Sequence, residues 1–448
     1  MSGVEMIPSA KRLIKSLRDM GYDFSQAVAD VVDNSIEATA SLVAIDVEFD
    51  GDDSWLRIAD NGKGMNPAEL REAMRYGADR EYSGDDLGKF GLGLKTASMS
   101  QCQRLSVASR WNPDRADIAA YSWDLEHIER TNKWEILAVN GKIKRIKAPL
   151  KDSNGTVVLW ERLDRILGYK HPYGEASRKR LLQTCREIET HLGMVFHKFL
   201  SGEARRRTFK ILLNGNEIKA WDPFCRSEEK TKQLQVIRIP VEHEGVRGEV
   251  LLEPFVLPHQ DDFSTPEAFR NSSGPANWNQ QQGFYIYRSG RMIQSGGWSN
   301  LRTPDEHTKL ARISVSFTPE LDEAFKINVA KMRVQMPGII REQIKQAIGP
   351  VLKIAQDSYR KRGASGPTPT TPPPSGQSTS QPPPPITQQP QFQLDHPQIP
   401  SSPIVDPEVI QEPRLTLKQW SDLLLSASNA FERPIVRSVL KRLTKAND

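Results

Sequence analysis

The chain carries three short segments in a fixed order: Asp30-Val31-Val32-Asp33-Asn34, Asp60-Asn61-Gly62-Lys63-Gly64-Met65 and Gly88-Lys89-Phe90-Gly91-Leu92-Gly93-Leu94-Lys95. The first places a carboxylate and a carboxamide four residues apart in a predicted helix, so both side chains are expected to point the same way. The second is a turn with an acid and two glycines. The third is a glycine-rich run that leads into a helix. In combination, the three segments predict a nucleotide pocket.

Each segment alone has a simpler interpretation. Asp30 and Asn34 fit an ordinary surface helix or a local cap, and the Asp60 segment fits a common β-turn. The glycine run fits a helix-packing motif or a dinucleotide-binding turn, although that turn needs a preceding strand and the run here follows an irregular loop. The combination therefore carries the prediction.

The chemistry of each segment suits one part of a nucleotide. The Asn34 amide oxygen is a suitable Mg²⁺ ligand, because this hard cation prefers oxygen. The Asp30 carboxylate is placed to orient a water for attack on a terminal phosphate. A buried Asp60 would accept a hydrogen bond from the amino group of adenine and so exclude guanine. Backbone N–H groups of the glycine run would bind phosphate, with Lys89 or Lys95 adding charge or else lying in solvent.

Composition leaves the class of protein broad. The chain has 448 residues, enough for two or three domains, with 38% hydrophobic and 26% charged residues. Its three cysteines are far apart, which predicts neither a disulfide framework nor a zinc site and favours a reducing compartment. No apolar run is long enough for a signal peptide or a membrane span. We expect a cytoplasmic protein, or a nuclear one in a eukaryote, and a net charge of +5 permits nucleic-acid contact.

Hydrophobic periodicity predicts a layered α/β domain over residues 1–167. The predicted helices are 11–19, 24–38 with Ser25 as N-cap, 68–75 and 94–99. The predicted strands are 42–49 and 55–59, which form a hairpin that delivers Asp60, and then 105–109, 118–124, 135–139 and 156–161. Residues 76–87 have no periodicity and are expected to form a mobile loop.

A second α/β domain is predicted over residues 168–362. It opens with a long helix over 175–200 and continues with strands at 209–213, 234–241 and 248–256. Ser289-Gly290 is expected to turn a tight hairpin between 283–288 and 291–293. A strand over 311–317 and a basic helix over 337–362 complete the domain.

The remainder of the chain is predicted to be a linker and a short helical element. Residues 363–413 are rich in Pro, Gln, Ser and Thr and cannot bury enough apolar surface to fold, so we expect a disordered spacer. Residues 414–448 have apolar residues at helical spacing. They are interpreted as a docking or self-association element for a protein partner, with a bare tether as the alternative.

Together the segments resemble the GHKL ATPases, the superfamily of gyrase, heat-shock chaperone, histidine kinase and MutL nucleotide domains. The resemblance implies an α/β sandwich of the Bergerat type that binds ATP and Mg²⁺. Asn34 would hold the metal, and Asp60, Gly62, Gly64 and Met65 would surround the base. Gly155-Thr156 matches a further family element whose hydroxyl would support Asp60 or the base through water. The lid over the phosphates would comprise Gly88, Lys89, Phe90, Gly91, Leu92, Gly93, Leu94 and Lys95.

The glycine run followed by Ala97-Ser98-Met99 is most similar to the MORC branch and its bacterial relatives. That resemblance implies a second domain of the ribosomal-protein β-α-β type with a phosphate-reaching lysine, for which we choose Lys331 and then Lys326. One position departs from the family, which has a glutamate where this chain has Asp30. The side chain is one methylene shorter, a retreat of roughly 1.5 Å that would slow attack by about a hundredfold.

The leading functional hypothesis is a Mg-dependent ATPase of the GHKL type with slow turnover. As in the family, ATP would close the lid and bring two chains together as a homodimer, and nucleic acid would be the client. Residues 178–180 and 205–207 are candidate phosphate contacts, although charge runs are more often solvated faces. An ATP-binding chaperone or scaffold with little turnover is the alternative. A protein histidine kinase is disfavoured, because no histidine precedes His127.

Overall fold

The computed structural model describes residues 6–19, 21–77, 93–112, 114, 118–139, 144–168, 171–204, 208–326 and 336–360. All of them lie in one compact unit, residues 1–370. The linker and helical element predicted over 363–413 and 414–448 lie outside the described residues and stay predictions.

The helices of the described part are numbered α1 to α10 in chain order: Ala10–Arg18, Phe24–Glu37, Pro67–Met74, Gly93–Met99, Leu125–Thr131, Lys144–Lys147, Glu175–Val195, His197–Leu200, Pro266–Ser272 and Arg341–Arg360. The strands are numbered β1 to β14: Leu42–Glu48, Trp55–Asp60, Arg104–Arg110, Ala119–Asp124, Leu137–Ala138, Gly155–Glu161, Lys210–Leu213, Asn216–Glu217, Lys232–Gln233, Ile237–His243, Val246–Val256, Gly283–Arg288, Arg291–Ser295 and Ala311–Phe317. The chain therefore has the mixed α/β architecture that the periodicity predicts.

The first sheet has the order β5-β4-β3-β6-β2-β1-β7-β8 within the described residues. β1 and β2 form the predicted hairpin, with Ile45 opposite Ile58. β6 pairs antiparallel with both β2 and β3, which places Gly155 and Thr156 beside the end of β2. Because β6 lies between β3 and β2, Gly155 and Thr156 come next to Asp60 at the end of β2, although they are far from it in the sequence.

Alternation along β2 and β6 divides the apolar side chains between the two faces of the first sheet. Leu56 and Trp160 belong to the main core, together with α2 and α7. Trp55 and Leu159 belong to a smaller cluster with Ile146 of α6. The sheet is thus covered on both faces, as in the α/β sandwich that the resemblance implies.

The second sheet has the order β10-β11-β14-β12-β13, with β9 pairing to β11. β12 and β13 form the predicted hairpin, and Ser289 and Gly290 turn it with positive φ values of 48° and 84°. β14 runs parallel to β12, and α10 packs against β11 and β14. The closer likeness to a ribosomal-protein β-α-β domain stays a prediction.

Three details of the prediction require correction. The strand at 209–213 was assigned to the second domain, but β7 pairs parallel with β1 and so extends the first sheet. The boundary at Leu167 therefore does not mark the end of the first sheet, and the division into two domains stays a prediction.

The N-cap of α2 is Asp23 rather than Ser25, because the Asp23 carboxylate accepts a hydrogen bond from the Ser25 N–H. A helix was also missed at Leu125–Thr131, which Asp124 caps at its N-terminus.

Candidate functional site

Helix α2 lies at the centre of the compact unit. All of its residues except Asn34 and Glu37 are buried, and it packs against α4, α7 and β2. A surface helix would expose a polar face, so the burial of Asp30 and Asp33 is unusual and requires compensating partners. Those partners come from the segment before the helix, from the helix itself and from the second sheet.

Asp60 ends β2 as a nearly buried carboxylate. Its Oδ1 accepts hydrogen bonds from the N–H groups of Gly62, at 2.8 Å, and Thr156, at 3.2 Å. Its Oδ2 accepts one from the Ser35 hydroxyl, at 3.0 Å. Burial raises the pKa of Asp60, and the bonds from Gly62, Ser35 and Thr156 offset part of this shift.

A carboxylate has about four acceptor positions, and the described residues occupy three of those on Asp60. The remaining position belongs to Oδ2, which within the described part of the chain accepts from Ser35 alone. A fixed, buried acceptor of this kind matches the exocyclic amine of adenine. The residues present therefore fit the base that the sequence predicts.

Gly155 and Thr156 support Asp60 through the backbone. Gly155 has a φ of 141°, and a Cβ at this position would lie 1.9 Å from the Asp60 carbonyl oxygen. Only glycine permits that approach. The Thr156 hydroxyl, which was expected to support Asp60 or the base, is hydrogen-bonded to Ser109 Oγ at 3.1 Å. It is the Thr156 N–H that holds Asp60.

The glycines after Asp60 are explained by close backbone contacts. A Cβ on Gly64, whose φ is 67°, would lie 2.0 Å from the Arg110 carbonyl oxygen, and one on Gly62 would lie 2.8 Å from Ala38. The Met65 N–H donates to Ser109 Oγ at 2.8 Å. The turn is therefore fixed between the end of α2 and the end of β3.

Asp30 and Asn34 lie one turn apart on α2 but end in different surroundings. Asn34 is exposed, and its Nδ2 donates to the Asp30 carbonyl oxygen at 3.1 Å, which leaves Oδ1 outside that bond. Asp30 is 4% exposed. Its Oδ1 lies 3.3 Å from Nη2 of Arg291, which comes from β13. The two side chains therefore lie on neighbouring turns of the same helix face, as expected, but Asn34 is exposed whereas Asp30 is buried.

Two further titratable groups near the Asp30–Asp33–Arg291 cluster were not singled out by the sequence. Burial, followed by the negative charge of Asp30, raises the pKa of Tyr22. Burial, followed by the positive charge of Arg291, lowers the pKa of His191 to about 4, so this imidazole is neutral at physiological pH. The neighbours of the buried Asp30 carboxylate thus include Tyr22 and Arg291.

The glycine-rich run is only partly described. Gly93 and Leu94 begin α4, and Lys95 is 3% exposed, with its Nζ donating to the Ala73 carbonyl oxygen of α3 at 3.0 Å. Burial lowers the pKa of Lys95 to about 8, opposed by the charge of Glu72. Its role at the phosphates stays a prediction. Gly88, Lys89, Phe90, Gly91, Leu92 and Lys331 lie outside the described residues; Lys326 is described, and it is exposed with a φ of 46°.

Three residues of the site were missed by sequence reasoning. Ser35 holds Asp60, Ser109 joins Met65 to Thr156, and Arg291 contacts Asp30. Ser35 could have been found as a polar residue in a largely apolar helix next to Asn34. Ser109 and Arg291 gave no local signal, because their contacts depend on pairing between distant segments.

The comparisons with known proteins identify a family for part of the chain. Residues 22–156 match the family model described as "Histidine kinase-, DNA gyrase B-, and HSP90-like ATPase". This match begins just before α2 and ends at Thr156, so it contains Asp30, Asn34, Asp60 and the glycine run. Residues 22–156 are a GHKL-type ATPase domain. The assignment to the MORC branch within the GHKL superfamily stays a prediction.

Several relatives of the GHKL-type domain are DNA mismatch repair proteins MutL. Two are from Haemophilus influenzae: strain PittEE, 24% identical over 218 residues, and strain PittGG, 26% identical over 216 residues. These matches cover 48% and 47% of this chain and 30% of each relative. A third, from Shewanella denitrificans, is 24% identical over 263 residues, which are 55% of this chain and 35% of the relative. The chain thus matches about a third of the length of these relatives.

The described residues contain neither a cluster of metal-ligating side chains nor a membrane-spanning helix. In that part of the chain, no group of three or more His, Cys, Asp or Glu residues is arranged to hold a metal ion. None of the helices described there is long and apolar enough to cross a bilayer.

Proposed function

We propose that this chain binds Mg·ATP in the pocket closed by Asp60 and hydrolyses it slowly. The observation that carries the proposal is the nearly buried Asp60 carboxylate, which three donors hold in place while one acceptor position on Oδ2 is left for a ligand. The family match over residues 22–156 supports the same nucleotide.

Each residue of the site has one role in this proposal. Asp60 accepts from the adenine amine, and Gly62, Gly64, Met65 and Thr156 shape the turn around the base. Asn34 Oδ1 holds the Mg²⁺ ion, and Asp30 orients a water and takes its proton. Bound Mg·ATP supplies the terminal phosphoryl group and a metal charge that neutralises its oxygens. Lys331 and the segment 88–95 are assigned to the phosphates by resemblance.

Slow turnover follows from the environment of Asp30. The aspartate is shorter than the family's glutamate, and it is 4% exposed. A short, buried carboxylate reaches a water beside the terminal phosphate less readily than a longer, more exposed one would. The same observation favours the second candidate function, an ATP-dependent scaffold with little turnover. In that case the function would depend on closure of the lid when ATP binds, and not on hydrolysis of the ATP.

Dimerisation and a nucleic-acid client are the finer parts of the proposal. The nucleic-acid client is supported by relatives that are DNA mismatch repair proteins, and dimerisation is carried over from the family resemblance. Of the candidate phosphate contacts, Arg178 and Lys179 are exposed on α7, and Arg178 pairs with Glu175 at 3.9 Å. Residues 205–207 lie outside the described part. A duplex-DNA affinity that does not fall as salt is raised would contradict this client.

The deciding experiment compares the purified chain with its Asn34→Ala and Asp30→Asn variants. We expect Asn34→Ala to lose Mg-dependent ATP binding and Asp30→Asn to bind ATP but lose turnover. Sedimentation with a non-hydrolysable ATP analogue tests whether two chains associate. ATP turnover measured with and without DNA separates the ATPase that acts on nucleic acid from the scaffold with little turnover. Unchanged turnover in Asp30→Asn would remove Asp30 from the mechanism, and unchanged Mg dependence in Asn34→Ala would remove Asn34.

A further inference from the structure

Arg291 is a buried arginine of the second sheet whose charged end lies at the nucleotide-site helix. It is the first residue of β13, directly after the Ser289-Gly290 turn, and it is 1% exposed. β13 packs near α7, and the Arg291 guanidinium carbon lies 5.9 Å from the centre of the Phe196 ring. The arginine is therefore enclosed by protein, beside Phe196, where its guanidinium reaches α2.

The guanidinium joins two carboxylates of α2. Its Nε lies 2.9 Å from Oδ1 and 2.8 Å from Oδ2 of Asp33. Its Nη2 lies 3.3 Å from Oδ1 of Asp30, the same oxygen that Gln26 Nε2 approaches at 3.4 Å. Asp30 and Asp33 are three residues apart, so their side chains lie on one face of the helix. A planar guanidinium can hold both at once, which a point charge such as lysine cannot do.

A buried ion cluster of this kind is not explained by stability alone. Taking three charges out of water is costly, and well-packed apolar residues often stabilise such a position as well or better. The cluster does fix the orientation of the two carboxylates. Both accept from the Arg291 guanidinium, whose own position is set by the packing of β13. The cluster also makes the position of the Asp30 carboxylate depend on where the β12–β13 hairpin lies.

We propose that Arg291 is a positioning residue for Asp30 and couples the second sheet to the ATP site through helix α2. The inference rests on the proposed function, since Asp30 is its proposed general base. Arg291 does not touch the pocket at Asp60, so it acts through Asp30 and Asp33. Movement of the hairpin would carry the guanidinium with it and shift the carboxylate relative to the water that it must orient.

The test uses Arg291→Met in the full chain, with Arg312→Met as the matched control. Arg312 is also a fully buried arginine of the second sheet, but its guanidinium donates to the carbonyl oxygens of Pro223 and Ser272. We expect Arg291→Met to lower kcat by about ten- to a hundredfold, the loss that a displacement near 1 Å produces. The Kd for ATP should stay within about threefold of the wild type, because the base pocket is untouched. Arg312→Met should lose stability but keep kcat within about threefold.

A second measurement does not depend on turnover. Amide hydrogen exchange of residues 283–295 is recorded with and without a non-hydrolysable ATP analogue. We expect the analogue to slow exchange of the hairpin in the wild type and in Arg312→Met, and to leave it unchanged in Arg291→Met. Loss of the effect in both variants would indicate general destabilisation and would overturn the proposal.

Conservative variants keep the proposal testable if Arg291→Met does not fold. Arg291→Lys retains the charge but can hold only one carboxylate well, so we expect it to fold and to recover part of kcat. Asp33→Asn should lower kcat severalfold at unchanged Kd. A kcat that rises in any of these variants would mean that Arg291 restrains Asp30 rather than positions it, which overturns the inference. Absence of ATP binding in the wild type would refute the proposed function, whereas binding without any effect on the hairpin would refute only this coupling.

Discussion

The guanidinium of Arg291 lies 2.8 Å from the carboxylate of Asp33, although the two residues are 258 positions apart in the chain. Each side chain is 1% exposed. The pair joins the hairpin of the second sheet to the helix that carries Asp30 and Asn34. It links the second sheet to the helix on which the proposed ATP site depends.

The first prediction concerns the stability of this pair. Arg291→Met should lower the free energy of unfolding by about 3–5 kcal/mol, because it removes the guanidinium that pairs with two buried carboxylates. Adding Asp33→Asn should recover part of that loss, since one of the uncompensated charges is then removed. Urea unfolding of the wild type, the two single variants and the double variant gives the coupling free energy between Arg291 and Asp33. Strictly additive losses would mean that the two groups do not interact.

The second prediction concerns Asp60 and pH. Because burial raises its pKa, Asp60 takes up a proton at a higher pH than an exposed aspartate does. The protonated form has lost acceptor capacity, so ATP affinity should fall as the pH is lowered, beginning above the usual aspartate range near pH 4. Asp60→Asn should weaken ATP binding by about 1–3 kcal/mol and abolish this pH dependence. Calorimetric titrations with ATP over a pH series measure the affinity and its pH dependence. Ser35→Ala is the control, and its ATP-binding free energy should weaken by only about 1 kcal/mol.

The third prediction concerns Gly155. A methyl group there would lie 1.9 Å from the Asp60 carbonyl oxygen, on a backbone with a φ of 141°. Gly155→Ala should therefore displace Asp60 and lower both stability and ATP affinity, by about 3 kcal/mol or more in stability. Gly338→Ala is the matched control, because a Cβ at Gly338 meets nothing within 4 Å. It should change the free energy of unfolding by less than about 0.5 kcal/mol.

The fourth prediction concerns Lys95. Its pKa is lowered to about 8 by burial, whereas in the unfolded chain it is near 10.4. Between these values the unfolded state binds more protons, so this residue makes the protein more stable as the pH rises through that window and least stable below it. Lys95→Met should remove this contribution. Denaturant unfolding of wild type and variant at about pH 7 and about pH 10 gives the difference, and parallel curves would contradict the prediction.

Local sequence was sufficient for most elements of the first domain. The β1–β2 hairpin, the helices α1 to α4 and the strand β6 all follow from periodicity and turn residues. The helix Leu125–Thr131 was missed, because its only clear signal is the capping aspartate Asp124. β7 was assigned to the wrong sheet, since pairing with β1 is a long-range contact that its four residues do not encode locally.

By itself the sequence determined the three motifs, the α/β class and the residues that fit a nucleotide, because each depends on residue type and on spacing within a few turns. Only the tertiary structure decided what surrounds those residues. It holds Asp60 with Ser35 and with the N–H of Thr156, and it brings Arg291 from the second sheet to Asp30 and Asp33. These contacts depend on which distant strands and helices pack together. That outcome is set by the whole core and not by any one segment.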